Sequence, residues 1–286
     1  MKKILLSIPY LLAALFSVAQ APKEKSLLWK IEGNGLQQPS YLYGTIHIMC
    51  PSDITVSPAL QKSFDGTKQL YLELDMDDPS TMMKMLSGMM MNDGSSLKTL
   101  LSKDDYDSVA AIFKAKTNMP LGLMSSAKPI LLMSLVYPSI LGCSPEGWET
   151  KFMAMAKEKQ MEVNGLEKVE EQIGVLDSIP YKVQAEMFMK TLYNLDSAKQ
   201  SFDKLVEVYK TQDIQKMVEE SAADEEFGSY EEVMLRKRNS NWIAVITDAS
   251  KKMPTFFAVG AAHLGGEYGV INLLRKKGYK VTAVKQ

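Results

Sequence analysis

The chain carries no surplus of basic charge: 33 Lys and Arg stand against 34 Asp and Glu, a formal net charge of −1 at pH 7. The basic patch with which proteins hold nucleic acid is therefore not expected. No low-complexity linker interrupts the chain, and no repeat of roughly 20–50 residues recurs along it, so residues 22–286 read as one domain. Cysteine is confined to Cys50 and Cys143, which leaves no lipid-bearing cysteine near the N-terminus. The His-Glu-x-x-His helix of many zinc proteases is missing. What remains, 46% hydrophobic and 23% charged residues, has the proportions of a soluble globular protein able to bury a core.

His47 and His263 are the only histidines, and each closes the same four-residue pattern, Gly-Thr-Ile-His at 44–47 and Gly-Ala-Ala-His at 260–263. With glycine near 7% of average usage, two unrelated histidines would share that upstream glycine roughly once in two hundred chains. Each copy follows a short β-branched and aromatic run, Tyr41-Leu42-Tyr43 or Phe256-Phe257-Ala258-Val259, which reads as a strand. Glycine at a strand end permits a turn or a close backbone approach, and open α/β sheets keep their binding crevices at such ends. A lone histidine there is often only a hydrogen-bonded structural residue. Two in matched contexts point to one site, because imidazole is the commonest metal ligand and general base.

Lys2-Lys3, an apolar stretch over 4–18 and Ala19-Gln20-Ala21 read as a cleavable signal peptide over residues 1–21, in preference to an uncleaved anchor. The stretch is short for a membrane span and is followed by Pro22 and a Lys/Glu segment, so no stable membrane insertion is expected after its removal. The mature chain is expected in the periplasm or secreted. In that oxidising setting Cys50 and Cys143 form a disulfide, remain two buried thiols, or supply a metal thiolate from Cys50, three positions after His47.

Strands are predicted over 27–32 and 41–48, joined through Gly33-Asn34-Gly35 as an antiparallel hairpin, and over 69–76, 162–165, 255–260 and 279–284. Helical periodicity covers 53–65, 79–91, 103–116, 127–141, 147–159, 167–178, 181–209, 211–222, 229–252 and 266–277, the last capped by Gly278. The fold class that follows is α+β: a central mixed β-sheet formed by N- and C-terminal strands, with a large helical insertion. Strands from the two ends can then pair and bring the histidines together. Glu73 and Asp75 alternate with Leu72 and Leu74, which puts both carboxylates on one face of the third strand, as solvent-facing positions or as partners of the imidazoles. Met82, Met83, Met85, Met89, Met90 and Met91 form an adaptable surface or plain packing.

The segments Tyr41-x-Tyr43-Gly44-Thr45-Ile46-His47, Leu72-Glu73-Leu74-Asp75, Val163-Asn164-Gly165-Leu166-Glu167 with Glu171-Gln172, Arg238-Asn239 before Trp242, and Val259-Gly260-Ala261-Ala262-His263-Leu264-Gly265-Gly266 together resemble the TraB/GumN family, which includes the Tiki proteins. The resemblance spans nearly the whole of residues 22–286 in the family's order. It implies a metal-dependent hydrolase scaffold related to erythromycin esterase and ChaN-like proteins, with metalloproteases among its members. By matching position, His47 and His263 would be metal ligands, Glu73 a ligand and catalytic acid partner, Glu167 and Arg238 catalytic, and Gln172 and Asn239 substrate-binding. Where the family often has an aspartate near the start of a helix, this chain has Glu149, a carboxylate of different reach.

Such a set would hold one divalent ion, Mn, Co or Zn, between two neutral imidazoles and a carboxylate, with an open position for water. Arg238 would bind a substrate carboxylate or steady an oxyanion. The expected partner is a peptide or small-molecule substrate. Two other readings stay open: a metal-free hydrolase of a non-peptide substrate in which His47 or His263 is the general base, and a peptide- or glycan-binding protein with no chemistry.

Overall fold

A computed structural model describes residues 22–223 and 228–286. The signal peptide predicted over 1–21 lies outside the described residues. Six strands form one mixed sheet: β1 Leu28–Glu32, β2 Ser40–Thr45, β3 Gln69–Leu72, β4 Glu162–Gly165, β5 Thr255–Gly260 and β6 Lys280–Ala283, in the order β4-β3-β5-β2-β1-β6. The Gly33-Asn34-Gly35 turn, with all three residues at positive φ, folds β1 back antiparallel on β2. β1 also pairs antiparallel with β6. The other four strands run parallel, which is why β5 is apolar almost throughout and buried on both faces.

The two GxxH strands are neighbours. β2 and β5 pair in parallel with Gly44 opposite Val259 and Thr45 opposite Gly260. Both histidine turns and the residue after β3 therefore leave the sheet at the same edge, the carboxyl ends of parallel strands where α/β sheets bind ligands.

Twelve α-helices are described: α1 Pro58–Asp65, α2 Pro79–Gly88, α3 Leu97–Leu100, α4 Lys103–Thr117, α5 Pro129–Leu141, α6 Trp148–Glu158, α7 Val169–Asp177, α8 Tyr181–Tyr193, α9 Leu195–Lys210, α10 Ile214–Ala223, α11 Lys237–Lys252 and α12 Val270–Lys276. None of them is long and apolar enough to cross a membrane. The core at the sheet is aromatic: Phe256 on β5 lies 5.1 Å from Phe64 of α1 and 5.0 Å from Phe152 of α6, which in turn lies 5.4 Å from Tyr43 of β2. Each such ring contributes about 2–3 kcal/mol by leaving water. The helical insertion has its own core around Phe113, Leu132, Val136 and Phe188.

The α+β class and the helical insertion are as the sequence predicts, with differences at element ends. β2 stops at Thr45 and β3 at Leu72, so His47, Glu73 and Asp75 sit on turns just past their strands. Asp75 does not share a face with Glu73: Glu73 is buried, whereas Asp75 is half-buried in a cleft to one side. His263 occupies a 3₁₀ turn, Ala261–His263. The helix predicted over 181–209 breaks at Asn194, and the one over 229–252 begins with a π-turn, Glu232–Arg236. Met82, Met83 and Met90 are exposed, whereas Met91 is buried.

Cys50 and Cys143 are joined in a disulfide with Cα atoms 5.9 Å apart. The thiolate-ligand reading of Cys50 is thereby excluded. The bridge ties the turn after His47 to the end of α5, and a backbone pairing between Met49 and Glu146 fastens the same two segments.

Candidate active site at the sheet edge

The two glycines of the GxxH motifs do different work. A Cβ on Gly44 would lie 2.9 Å from Leu264 Cδ1 and 3.1 Å from the Ala261 backbone, so glycine lets the second histidine turn pack directly on β2. A Cβ on Gly260 would stand 3.5 Å from each of His47 Nε2, Glu73 Oε1 and His263 Cδ2. The three side chains thus converge on the space that Gly260 leaves open. Gly147 is needed for a further approach, since a Cβ there would meet Glu149 Oε2 at 2.5 Å and His47 O at 2.6 Å.

Around that space, His47 Nε2 lies 3.7 Å and His263 Nε2 3.9 Å from the same Glu73 oxygen, Oε1. The far nitrogens are tied. His47 Nδ1 contacts Glu149 Oε1 at 2.8 Å, and Thr45 Oγ1 donates to that oxygen at 2.9 Å. His263 Nδ1 contacts Asn239 Oδ1 at 2.6 Å, while Asn239 Nδ2 donates to Tyr268 O at 2.9 Å. An amide oxygen and a carboxylate only accept, so the network assigns the proton of each neutral ring to Nδ1 and turns the Nε2 lone pair inward. That is how metal-ligating imidazoles are held by their outer partners.

Arg238, at the start of α11, binds this cluster together. Its Nε donates to Glu167 Oε1 and Oε2 at 3.1 and 3.0 Å, and its Nη2 donates to Glu73 Oε2 at 2.6 Å and Glu167 Oε1 at 2.7 Å. Nη1 donates to Met234 O at 2.9 Å and to His263 Nε2 at 3.2 Å. All five N–H groups of the guanidinium are thereby engaged within the protein. Gln172 Nε2 donates to Glu73 Oε2 and Glu167 Oε1, each at 3.2 Å, and Trp242 Nε1 donates to Glu167 Oε2 at 3.1 Å. The Trp242 ring lies 4.5 Å from that of His263 and backs it.

These surroundings set the charges. Burial alone would raise the Glu73 carboxyl, but His47, Arg238 and His263 facing it, with the Gly260 N–H on Oε1, hold it far below the carboxylate range. Burial pushes His263 down to about 3, and Arg238 pushes the same way, so the ring is neutral. For His47 burial also works downward, but the Glu149 hydrogen bond and the Glu73 charge reverse it and bring the ring to about 9. With 57% of its side chain exposed, water screens part of that attraction.

Beside this cluster a cleft of about 790 Å³ runs between α7 and α11, with Asp75, Lys168 and Val245 on its walls, and it reaches Glu167 and Arg238. Burial and the neighbouring Asp77 raise the Asp75 carboxyl to about 6.

The structure therefore gathers the seven residues to which the resemblance gives roles, His47, Glu73, Glu167, Gln172, Arg238, Asn239 and His263, into one network, and leaves Asp75 and Cys50 outside it. As they stand, no group of three or more His, Cys, Asp or Glu among the described residues is arranged to hold a metal ion. Sequence reasoning missed Thr45 and the part Trp242 plays. Thr45 lies two positions before His47 in its own motif, and Trp242 lies four after Arg238, the spacing that shares a helix face.

The family described as TraB/PrgY/gumN matches residues 27–283. The chain is 23% identical over 316 residues to a zebrafish (Danio rerio) protein named Metalloprotease TIKI2, a match covering 90% of this chain and 60% of the relative. It is 24% identical over 322 residues to human (Homo sapiens) Metalloprotease TIKI1, covering 92% and 62%. The chain thus spans about three fifths of the length of these curated relatives. No solved structure matches.

Proposed function

The chain belongs to the TraB/PrgY/gumN family, and on that premise we propose that it is an exported, metal-dependent hydrolase that cleaves peptide bonds at the His47–Glu73–His263 cluster. The observation that carries this reading is that His47 Nε2 and His263 Nε2 both lie within 3.9 Å of one Glu73 oxygen, beside the space that Gly260 leaves open. The residues suit a divalent ion in donor chemistry, two imidazoles and a carboxylate, although as placed they do not enclose one. They fit it in charge as well: with both imidazoles neutral, the carboxylates of Glu73, Glu149 and Glu167 against the Arg238 guanidinium sum to −2. His47 Nε2, His263 Nε2 and Glu73 Oε1 would hold the ion. Bound there, it would polarise the substrate carbonyl and lower the pKa of water.

The protein's own residues do the rest. Glu149 and Thr45 fix the His47 ring, and Asn239 and Trp242 fix that of His263. His47 is the exposed member, so substrate approaches from its side. Glu167 faces the neighbouring cleft and bounds the region where a peptide would lie, while Gln172 steadies it from behind. Because every Arg238 donor is engaged, its role is to neutralise Glu73 and Glu167 rather than to bind substrate.

The test is metal content and peptide hydrolysis by the mature protein, with and without EDTA, beside the His47→Ala, His263→Ala double variant. Metal and turnover lost together support the reading. Full turnover in EDTA with no metal bound would replace it by the second reading, in which His47, oriented by Glu149 as in a histidine–carboxylate dyad, acts alone as base. Export is checked separately by mass spectrometry of the N-terminus, expected near Gln20 to Pro22.

A further inference from the structure

Resting on the metal reading above, we propose that Arg238 is a built-in competitor for the metal and sets how tightly the site takes a divalent cation. His263 has one lone pair available, on Nε2, because Nδ1 carries the proton given to Asn239. That lone pair is not free: Arg238 Nη1 donates to it at 3.2 Å. The same guanidinium holds Glu73 Oε2 at 2.6 Å. One of the three donors that would surround an ion, His263 Nε2, is therefore already bound to a fixed cation, which also holds Glu73 through its other oxygen; the guanidinium carbon lies 4.9 Å from the Trp242 ring, and the residue is only 9% exposed.

Taking up a divalent ion then requires two changes of this chain's own residues. The Nη1 bond to His263 must be given up, and a cation must enter beside the guanidinium in a buried setting where like charges repel strongly. Nη1 has a second acceptor, Met234 O at 2.9 Å on the π-turn before α11, so it keeps a partner when it leaves His263. Glu167, with Oε1 and Oε2 both on Arg238, anchors the guanidinium on the side away from the histidines. Arg238 thus keeps Glu73 and His263 in place while weakening them as ligands, which favours an ion that binds reversibly over one that binds permanently.

The experiment is direct titration of the chelator-treated mature protein with Mn²⁺, free ion being counted by electron paramagnetic resonance, and repeated with Co²⁺, whose visible spectrum reports histidine ligation. Wild type is compared with Arg238→Gln and with the charge-balanced double variant Arg238→Gln, Glu167→Gln. The double variant avoids leaving Glu167 buried without its cation, and circular dichroism verifies folding before titration. The expected result is metal affinity raised roughly tenfold or more in the folded variant, through removal of a neighbouring positive charge. Binding by the variant alone would be the strongest support. Equal or weaker affinity in the folded double variant, with wild type binding normally, overturns this inference and leaves the metal reading intact. No binding by any of the three proteins overturns both.

Discussion

Replacing His263 by glutamine should remove a defined part of the protein's acid sensitivity. In the fold this ring is 4% exposed and titrates near 3, against 6.5 for an unperturbed histidine. A depressed histidine is neutral in the native state, whereas the unfolded chain takes up its proton as pH falls below about 6.5, so acid favours unfolding. The loss begins as pH drops through 6.5 and continues to about 3. Each pH unit in that window costs roughly 1.4 kcal/mol once the unfolded ring is charged, and between pH 6.5 and 5 the loss is about 1.5 kcal/mol because titration is half complete at the start. His47 adds little there, since a ring raised to about 9 is protonated in the fold throughout the window. Asp75, raised to about 6, works in the opposite sense, gaining stability as it protonates below that value. Its effect is present in both proteins and cancels in the comparison. Urea unfolding of chelator-treated wild type and His263→Gln at pH 6.5 and 5 measures the difference. Wild type should lose about 1.5 kcal/mol more than the variant. Parallel losses in the two proteins would refute the neutral, Asn239-bonded ring.

Gly260→Ala should fold with stability changed by under about 1 kcal/mol, since the new Cβ meets its neighbours at 3.5 Å, ordinary contact distance. It should nonetheless lose metal binding and peptide cleavage together, because the methyl fills the space on which the ligands converge; normal activity in the variant would count against that space as the reaction centre. Converting Cys50 and Cys143 to serine opens a link across 93 positions and should cost roughly 4–5 kcal/mol on the loop-entropy model, read from denaturant unfolding. Calorimetry in buffers of different ionisation enthalpy should show about one proton released per ion bound at pH 7, from His47, and almost none at pH 10, above its value of about 9. Metal affinity should accordingly rise with pH across that range, and a flat profile would contradict a protonated His47.

Much of this arrangement was legible in the sequence because it is written in glycines, histidines and strand-forming runs. The repeated Gly-x-x-His pattern, each behind an aromatic strand, anticipated that β2 and β5 would be neighbours and their turns adjacent. Element ends were not legible. Leu74, Asp75 and Met76 continue the alternation of β3, but pairing with β5 ends at Tyr71, and Leu72 keeps only the Gly165 partner, so the chain leaves the sheet before Glu73. The break at Asn194 carries no Gly or Pro, and the π-turn before Arg238 has no propensity signal that would mark it. Arg238 itself could be placed near the site by family resemblance, but not its saturation, which depends on Glu167 and Met234 O arriving from different elements.

The same four-residue motif yields two histidines of opposite character, and the difference lies in what covers each turn. After Gly44 the chain runs into an open turn fastened by the Cys50–Cys143 bridge, and the neighbouring helix presents Glu149 to a ring left in contact with water. That ring gains a proton. After Gly260 the chain coils into a 3₁₀ turn beneath Trp242, where a neutral amide takes Nδ1 and a guanidinium faces Nε2. That ring loses one. A protonated ring and a neutral one are thus built from one motif, with Glu73 Oε1 placed between them. Exchanging the partners tests the principle: Glu149→Gln should lower His47 toward an ordinary histidine value, while Asn239→Asp should raise His263 and let it compete for the proton that Arg238 now excludes. Histidine NMR titration of both variants reads the two shifts, and unchanged values in both would show that the motif, not its covering residues, sets the chemistry.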